Sequence, residues 1–277
     1  MVTPLLMGVL NVTPDSFSDG GRYGTLDKAL SRAHEMLSEG ADIIDVGGES
    51  TRPGADPVTV DEELRRVLPV IEGLAGHCRI SVDTRTAEVA RAAVAAGASI
   101  INDVSATLFG VAAETEAAWV AMHMIGDPRT MQRAPHYDDV VSEVRSFLVD
   151  RASVGRQAGV RELWIDPGFG FGKTVAHNVA LLASIDELVA TGVPVAIGTS
   201  RKSTLGALTA ASDARVGLRE PGTSSDPGDR LEASVATAVW AMHLGVSMVR
   251  THDVRAHAHA VSVIADQITS KNSTGAK

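Results

Sequence analysis

Eight short apolar runs, each ending at a polar residue or a glycine, constrain the fold of this chain more than any other feature. They lack strict alternation of apolar and polar residues, which is typical of parallel strands buried on both faces. Ala, Val and Gly are abundant and aromatic residues make up only 4%, so the core is expected to be built of small and branched side chains. The predicted strands span residues 5–11, 43–47, 80–83, 100–103, 119–123, 163–166, 194–198 and 248–252.

Helical patterns separate most of these runs. In the first, Leu30, Ala33 and Leu37 fall on one face and Gly40 follows as a C-terminal cap. Strand–helix alternation repeated eight times predicts an α/β protein of the (β/α)8 barrel type, with an open doubly wound sheet as the alternative. We expect one domain over 1–269, a disordered tail over 270–277 and a mobile polar insertion over 211–228. The predicted helices span 26–39, 61–74, 86–96, 140–157, 177–190, 231–244 and 254–268.

Charge and cysteine content exclude several classes of protein. The net charge is −9 and no basic run is present, which argues against a nucleic-acid or anionic-membrane surface. A single cysteine, Cys78, excludes an internal disulfide and a cysteine-rich metal site. The N-terminus lacks a basic leader and no apolar stretch reaches about 18 residues. We therefore expect a cytoplasmic protein without a membrane segment, with Trp240 in the core and His257 and His259 on the surface.

Polar side chains follow nearly every predicted strand. Because the carboxyl ends of barrel strands meet on one face, these side chains should form a single site. Cations after strands two, seven and eight suit a phosphate or diphosphate, and the amide of Asn11 could help hold Mg2+ on diphosphate oxygens. Two carboxylates and an amide on the other side suit a flat, nitrogen-rich ring such as a pterin or guanine. The cations are Arg52, Lys202, Arg250 and His252, and the acceptors are Asp83, Asn102 and Asp166.

The glycine-rich segment 166–174, DPGFGFGKT, invites comparison with a phosphate-binding P-loop. The match fails by one residue, because Pro167 stands where the first glycine is required. The spacing also differs from the dinucleotide fingerprint. We expect a tight turn between strand and helix, with Phe169 or Phe171 forming a wall for a planar ligand.

A set of eight motifs resembles the dihydropteroate synthases, in the same order along the chain. The first is NVTPDSFSDGG at 11–21 and the second GGESTRPG at 47–54. Each motif alone is weak, but together they extend over about residues 5–268. The others are SVDT at 81–84, INDVS at 101–105, MHM at 122–124 with PRTMQ at 128–132, DPGFGFGK at 166–173, SRKS at 200–203 and RTHDV at 250–254.

The resemblance implies a transferase of folate biosynthesis and a sulfonamide target. It would condense 7,8-dihydropterin-6-ylmethyl diphosphate with 4-aminobenzoate, using Mg2+, in a (β/α)8 homodimer. By the same resemblance, Asp83, Lys202 and Arg250 are the catalytic residues. Asp83, Asn102, Asp166 and Lys202 would hold the pterin, with Met122 and Phe171 packed around it. Asn11 would bind Mg2+, while Arg52, Arg250 and His252 bind the diphosphate. Phe17, Thr51, Pro53 and Ser203 would shape the aminobenzoate pocket.

Two other functions fit parts of the pattern. A pterin-dependent methyltransferase shares the barrel and the pterin carboxylates but does not need the cationic corner after strands seven and eight. A non-catalytic pterin-binding paralogue would be expected to have lost Lys202, Arg250 or the first loop, and all are present. Diphosphate dependence of pterin binding separates the synthase from the methyltransferase. One departure falls beside the expected aminobenzoate pocket, since Thr204 replaces the family's usual bulky apolar residue.

Overall fold

Eight parallel strands alternate with helices around a barrel, as the sequence predicts. The computed structural model describes residues 3–13, 21–50, 57–127, 129–220 and 222–274. The strands are β1 (Leu5–Asn11), β2 (Ile43–Gly47), β3 (Arg79–Asp83), β4 (Ile100–Asp103), β5 (Ala118–Met122), β6 (Leu163–Asp166), β7 (Ala196–Ile197) and β8 (Met248–Thr251). The helices are α1 (Gly21–Ser38), α2 (Val60–Leu74), α3 (Ala87–Ala95), α4 (Phe109–Glu114), α5 (Val140–Ala158), α6 (Val175–Ala183), α7 (Ile185–Val189), α8 (Ser203–Arg215), α9 (Leu231–His243) and α10 (Val254–Thr274).

Backbone pairing closes the sheet into a ring. The order of neighbours is β6-β5-β4-β3-β2-β1-β8-β7, and all pairs are parallel. Ile165 in β6 forms a parallel bridge with Val195, just before β7, and its backbone N–H donates to the carbonyl of Pro194 at 2.9 Å. The alternative of an open doubly wound sheet is therefore excluded.

Local sequence signals set several helix ends. The Thr59 side chain accepts from the backbone N–H of Glu62 at the start of α2, and Asp139 accepts from two backbone N–H groups at the start of α5. Gly159, with φ of +104°, ends α5 in the left-handed conformation that favours glycine. These caps fix the helices so that their apolar faces bury the outer side of the sheet.

The inside of the barrel changes character along its axis. Its lower part, toward the amino ends of the strands, is a closed apolar cluster of Met7, Ile43, Ile100, Ala118, Val120, Trp164, Ala196 and Met248. At the next inward-facing position of several strands, the side chains are polar. Asp45 follows Ile43, Asn102 follows Ile100 and Asp166 follows Trp164, each two residues on. The apolar layer therefore forms the floor on which the polar ends of the strands rest.

The structure differs from the sequence predictions mainly among the helices. Helix α8 was not predicted and extends into the segment expected to be mobile, while the helix predicted over 177–190 is divided into α6 and α7. The short helix α4 was also missed, and α10 continues to Thr274. Helix α8 was missed because its sequence, STLGALTAASDAR, is rich in small and polar residues and has only a weak apolar face.

Two predictions about individual side chains were wrong. Trp240 is exposed rather than in the core, with its indole N–H donating to the carbonyl of Leu182 at 3.0 Å. His257 is fully buried rather than on the surface, where its Nδ1 contacts the Thr251 hydroxyl and the Asp253 carbonyl. The spacing of residues along the sequence does not reveal that the imidazole of His257 has buried hydrogen-bond partners. Among the described helices, none is both long and apolar enough to cross a membrane.

Candidate functional site

A cleft opens at the carboxyl ends of the strands and contains seven of the residues predicted for the site. The space between its lining residues is about 340 Å³, open solvent at the mouth included. Its lining combines acceptor side chains with two cations. The predicted residues that line it are Asp83, Asn102, Met122, Asp166, Phe171, Lys202 and Arg250, joined by Val104, Gly168, Phe169 and Gly198.

Asp83 is a buried carboxylate at the end of β3. Its Oδ2 accepts from Nη2 of Arg250 at 2.7 Å, whereas its Oδ1 is buried and has no hydrogen-bond partner among the described residues. Burial raises the pKa of Asp83 to about 7; the positive charge of Arg250 acts against this, while Asp45 and Glu63 act with it. A buried oxygen without a partner is costly, so this atom is well suited to accept from a ligand that carries an N–H group.

Asp166 ends β6 and is held by the turn that follows it. Its Oδ1 accepts from the backbone N–H of Gly168 at 2.7 Å, and burial raises the pKa of its carboxyl group. Gly168 has φ of +65°, and a Cβ at this position would lie 1.9 Å from the carbonyl oxygen of His123. Only glycine fits this position, so the GFG segment is a tight turn that brings Asp166 into the cleft.

Lys202 and Phe171 meet across the mouth of the cleft. The Lys202 amine lies 3.7 Å from the centre of the Phe171 ring, a cation–π contact. Phe171 also packs with Met122 and Val104 in a small buried apolar cluster. The cleft therefore has a flat apolar wall next to a positive charge, an arrangement that suits a polar aromatic ring.

The sequence analysis did not identify Asp45, which lies beneath the cleft. This carboxylate is fully buried on β2, and its Oδ2 accepts from Nε of Arg250 at 2.6 Å and from Nδ2 of Asn102 at 3.1 Å. Arg250 thus bridges Asp45 and Asp83 and extends into the barrel. The signal that could have found Asp45 is its position in the apolar run IIDVG, because an Asp in a doubly buried strand needs a partner.

The sequence analysis also gave no role to Lys173, which is buried next to the glycine turn. Its amine lies 3.0 Å from Nδ1 of His123 and donates to the carbonyl oxygens of His123, Gly168 and Phe171 at 3.0–3.3 Å. Burial lowers the pKa of Lys173 to about 7 and that of His123 to about 3. The Lys173 amine therefore points inward and ties the glycine turn together, rather than serving a phosphate as in a P-loop.

Three predicted residues lie near the cleft without lining it. His252 follows β8, and its Nδ1 lies 3.1 Å from the hydroxyl of Ser200. Burial, with the charges of Arg250 and Arg201, lowers the pKa of His252 to about 3. Asn11 ends β1, half-buried, and Ser203 is the exposed first residue of α8.

Thr204 lies next to the predicted pocket residue Ser203 in the first turn of α8. Its side chain is buried, and its hydroxyl accepts from Nδ2 of Asn178 at 2.9 Å. Asn178 in turn accepts from the backbone N–H of Gly170 through its Oδ1. Thr204 thus faces the protein interior and links α8 to the glycine turn. The remaining predicted residues, Phe17, Thr51, Arg52 and Pro53, lie outside the described residues.

Comparisons with known proteins show what the chain as a whole is similar to. The family model described as pterin binding enzyme matches residues 7–252. The dihydropteroate synthase of Escherichia coli strain K12 is 44% identical over 276 residues, covering 97% of this chain and 93% of that protein. The dihydropteroate synthase of Xanthomonas albilineans, solved with 4-aminobenzoic acid, has a TM-score of 0.84 at 47% identity, covering 95% of this chain and 92% of that one. The same enzyme solved with 7,8-dihydropteroate has a TM-score of 0.80 at 44% identity, with 95% and 93% covered.

Proposed function

The chain belongs to the dihydropteroate synthase family of pterin-binding enzymes, and we propose from this premise how its strand-end side chains divide the work of the reaction. The reaction joins 7,8-dihydropterin-6-ylmethyl diphosphate to 4-aminobenzoate, giving 7,8-dihydropteroate and diphosphate. The observation that carries the proposal is the lining of the cleft, which combines the acceptors Asp83, Asn102 and Asp166 with the cations Lys202 and Arg250.

The acceptor side matches the donor-rich edge of a pterin. That ring presents a 2-amino group and ring N–H groups in one plane, and the cleft offers two carboxylates and an amide. The otherwise unpaired Oδ1 of Asp83 gains a partner when the ring binds. Lys202 donates to the ring's acceptor atoms, while Phe171 and Met122 pack against its faces. Binding energy on this side holds the pterin methylene in place.

The cationic side serves the leaving diphosphate. Arg250 lies at the junction, because it contacts Asp83 in the pterin cleft and belongs to β8, the strand that His252 follows. The backbone N–H of His252 donates to the Ser200 hydroxyl at 3.2 Å, so the hydroxyl proton is free to donate to Nδ1. His252 then carries its own proton on Nε2 and offers a neutral N–H donor to a diphosphate oxygen. Arg52, from the second loop, completes this corner.

The residues present fit a Mg2+ ion that is held mainly by its substrate. A Cβ on Gly47 would lie 3.4 Å from Oδ1 of Asn11 and 3.5 Å from Cβ of Asp83, so the absence of a side chain there leaves room beside both. No cluster of three or more His, Cys, Asp or Glu suited to a metal occurs among the described residues. One amide oxygen with diphosphate oxygens and water suits Mg2+, which seldom has an all-protein cage. When bound at Asn11, the ion would neutralise charge on the departing diphosphate.

The bond from the pterin methylene to the diphosphate oxygen breaks first, and the aniline nitrogen of 4-aminobenzoate then attacks the methylene. Positive charge spreads from the methylene into the ring, next to the carboxylates of Asp83 and Asp166. The aniline nitrogen loses a proton after the new C–N bond forms. No side-chain nucleophile is needed. Phe17, Thr51, Pro53 and Ser203 form the aminobenzoate pocket, and water must be excluded while the methylene is reactive.

The protein is proposed to act as a cytoplasmic homodimer. Three adjacent helices each expose a large apolar side chain, namely Val179 on α6, Leu208 on α8 and Trp240 on α9, at 41–47% exposure. Such a patch supports an interface between copies of the chain. Sedimentation at micromolar concentration should give twice the 28.9 kDa chain mass, and a monomer at that concentration would contradict the proposal.

Arg250→Ala tests the assignment of the two sides. Calorimetry should show that the variant binds both 6-hydroxymethylpterin and its diphosphate more weakly than the wild type does. The loss of affinity should be at least tenfold larger for the diphosphate. An equal loss for both would remove Arg250 from the diphosphate corner. Adding Mg2+ should raise the affinity of the wild type for the diphosphate ligand but should not raise that of Asn11→Ala. Asn178→Ala, a change in the protein interior, serves as the control, and in that variant the gain from Mg2+ should be kept.

A further inference from the structure

Two acceptor atoms that face the pterin cleft depend on one carboxylate beneath it. Asp45 is fully buried and does not line the cleft. It nevertheless contacts two residues that do, accepting from Nδ2 of Asn102 at 3.1 Å and from Nε of Arg250 at 2.6 Å. A buried carboxylate in this position must influence the orientation of both the Asn102 amide and the Arg250 guanidinium in the cleft.

For Asn102 the consequence is the direction of its amide. A carboxylate paired with an arginine only accepts hydrogen bonds, so the Asn102 group that faces Asp45 must be the NH2 group. Its Oδ1 is then turned away from Asp45, and Asn102 lines the cleft. Without Asp45, both orientations of the amide would be open, and a donor could replace the acceptor in the cleft.

For Arg250 the consequence is a fixed guanidinium plane. Nε is held by Asp45, so Nη2 is directed at Oδ2 of Asp83, 2.7 Å away. This leaves Oδ1 of Asp83 as the oxygen that has no partner among the described residues. Both acceptors, Oδ1 of Asp83 and Oδ1 of Asn102, are therefore set by the same buried group.

We propose that Asp45 is a positioning residue that sets the hydrogen-bond polarity of the pterin cleft, so that the cleft selects ring edges that carry N–H donors. This inference rests on the proposed function, because it concerns the same cleft. The inference adds that the selectivity for N–H donors originates at Asp45, one layer below the residues that contact the ring. Asp45 makes no contact with substrate and takes no part in bond making.

Two variants separate the hydrogen bond from the charge. Asp45→Asn keeps a carbonyl oxygen that can accept from Asn102 and Arg250, whereas Asp45→Leu has a similar volume and no acceptor. The matched control is Asp103→Asn, another fully buried carboxylate, which lies outside the cleft. It accepts from the backbone N–H groups of Ser105, Thr107 and Leu108 and from the indole N–H of Trp119. Circular dichroism and thermal unfolding report whether each variant is folded.

The measurement is a ratio of affinities, which general loosening of the fold would not change. The two probes are 6-hydroxymethylpterin and the same ring with a 2-oxo group in place of the 2-amino group. The wild type and Asp45→Asn should prefer the amino ring at least tenfold, and the preference in Asp45→Leu should fall below threefold. Asp103→Asn should keep the preference. An unchanged preference in Asp45→Leu, or its loss in Asp103→Asn, would overturn the inference.

A measurement on the wild type covers the case in which Asp45→Leu does not fold. The side-chain NH2 protons of Asn102, assigned by their loss in Asn102→Ser, should exchange with solvent at least a hundredfold more slowly than those of an exposed asparagine, because Asp45 holds them. Exchange at the exposed rate would overturn the inference. Failure of the wild type to bind either probe would instead contradict the proposed function itself.

Discussion

The lower and upper parts of the barrel interior are built from the same strands but follow opposite rules. Below, Ile43, Ile100 and Trp164 fill the space with close apolar contacts. Two residues further along these strands, Asp45, Asn102 and Asp166 bury charges and amides whose requirements are only partly met within the protein. Burial of apolar side chains in the lower layer stabilises the fold. Burial of charged and polar groups in the upper layer lowers the stability of the fold, but it leaves these groups available to bind a ligand.

The largest effect is expected from a change in the lower layer. Ile100→Ala removes a fully buried side chain from the apolar floor and should lower the free energy of unfolding by about 2–5 kcal/mol. Pterin affinity at a temperature where the variant is folded should stay within threefold of the wild type. Denaturant unfolding and calorimetry measure the two quantities. A large loss of affinity without a loss of stability would erase the distinction between the layers.

Asp166→Ala is the corresponding change in the upper layer. It removes a buried acceptor from the cleft and should weaken pterin binding by about 2–4 kcal/mol. Stability should change much less, because burial of this carboxylate already disfavours its charged form. Unchanged affinity by calorimetry would contradict the pterin assignment.

Lys173→Met should combine both effects, since this side chain lies outside the cleft but holds its glycine turn. Losing the amine removes a donor from three carbonyl oxygens, of which Gly168 keeps only the Phe171 backbone N–H, and removes the contact with His123. This should cost about 2–3 kcal/mol of stability. Pterin affinity should fall as well, because Gly168 and Phe171 are no longer held. Thermal unfolding with and without the ligand tests this. A variant that is less stable but binds normally would show that the turn holds its shape unaided.

The pH dependence of binding sharpens the comparison, because only the upper layer titrates. The pKa of Asp83 is raised by burial to about 7, and the pterin donors require the ionised form. Affinity should therefore rise with pH up to about 7 and level off above it, with a slope of at most about tenfold per pH unit. The groups that face Asp83 are Asp45 on β2, Glu63 on α2, Arg250 on β8 and Lys202 after β7.

Asp83→Asn provides the control for this profile. The variant should bind more weakly at pH 8 and show a flat profile between pH 5.5 and 8. Burial also raises the pKa of Asp166 and lowers that of Lys173 to about 7, so a slope that persists in Asp83→Asn would assign the titration to one of these two groups instead.

The smallest effect is expected at Thr204. Thr204→Ala removes the acceptor for Asn178 and should cost about 1 kcal/mol of stability. Because the side chain faces the interior, the KM for 4-aminobenzoate should stay within twofold of the wild type. A selective rise in that KM, with the pterin KM unchanged, would restore Thr204 to the aminobenzoate pocket.

The strands could be predicted from the sequence because doubly buried parallel strands leave an unmistakable apolar run. Seven of the eight runs agree with the observed strands to within one residue at each end, and the exception, β7, is the shortest strand of all. Helix α8 could not be predicted, since small residues such as Gly206 and Ala210 pack without an amphipathic pattern. The strand-end site could be predicted as a set, since barrel closure brings those ends together.

The partners of the site residues could not be predicted. Which atoms Arg250 contacts depends on register between β8, β2 and β3, which are up to 205 residues apart in sequence. Asp45 and Lys173 were missed for the same reason, because each matters through neighbours that only the folded barrel supplies. Motif matching finds groups that touch a substrate more readily than the groups that hold them in place.

Product formation by the purified protein tests the central claim most directly. The protein is given 7,8-dihydropterin-6-ylmethyl diphosphate, 4-aminobenzoate and Mg2+, with omission of each component and a chelator as controls. The account predicts 7,8-dihydropteroate only when all three are present, and its loss in Asp166→Ala. Tight binding of the pterin diphosphate without product would contradict the account and indicate a pterin-binding protein that does not catalyse the condensation.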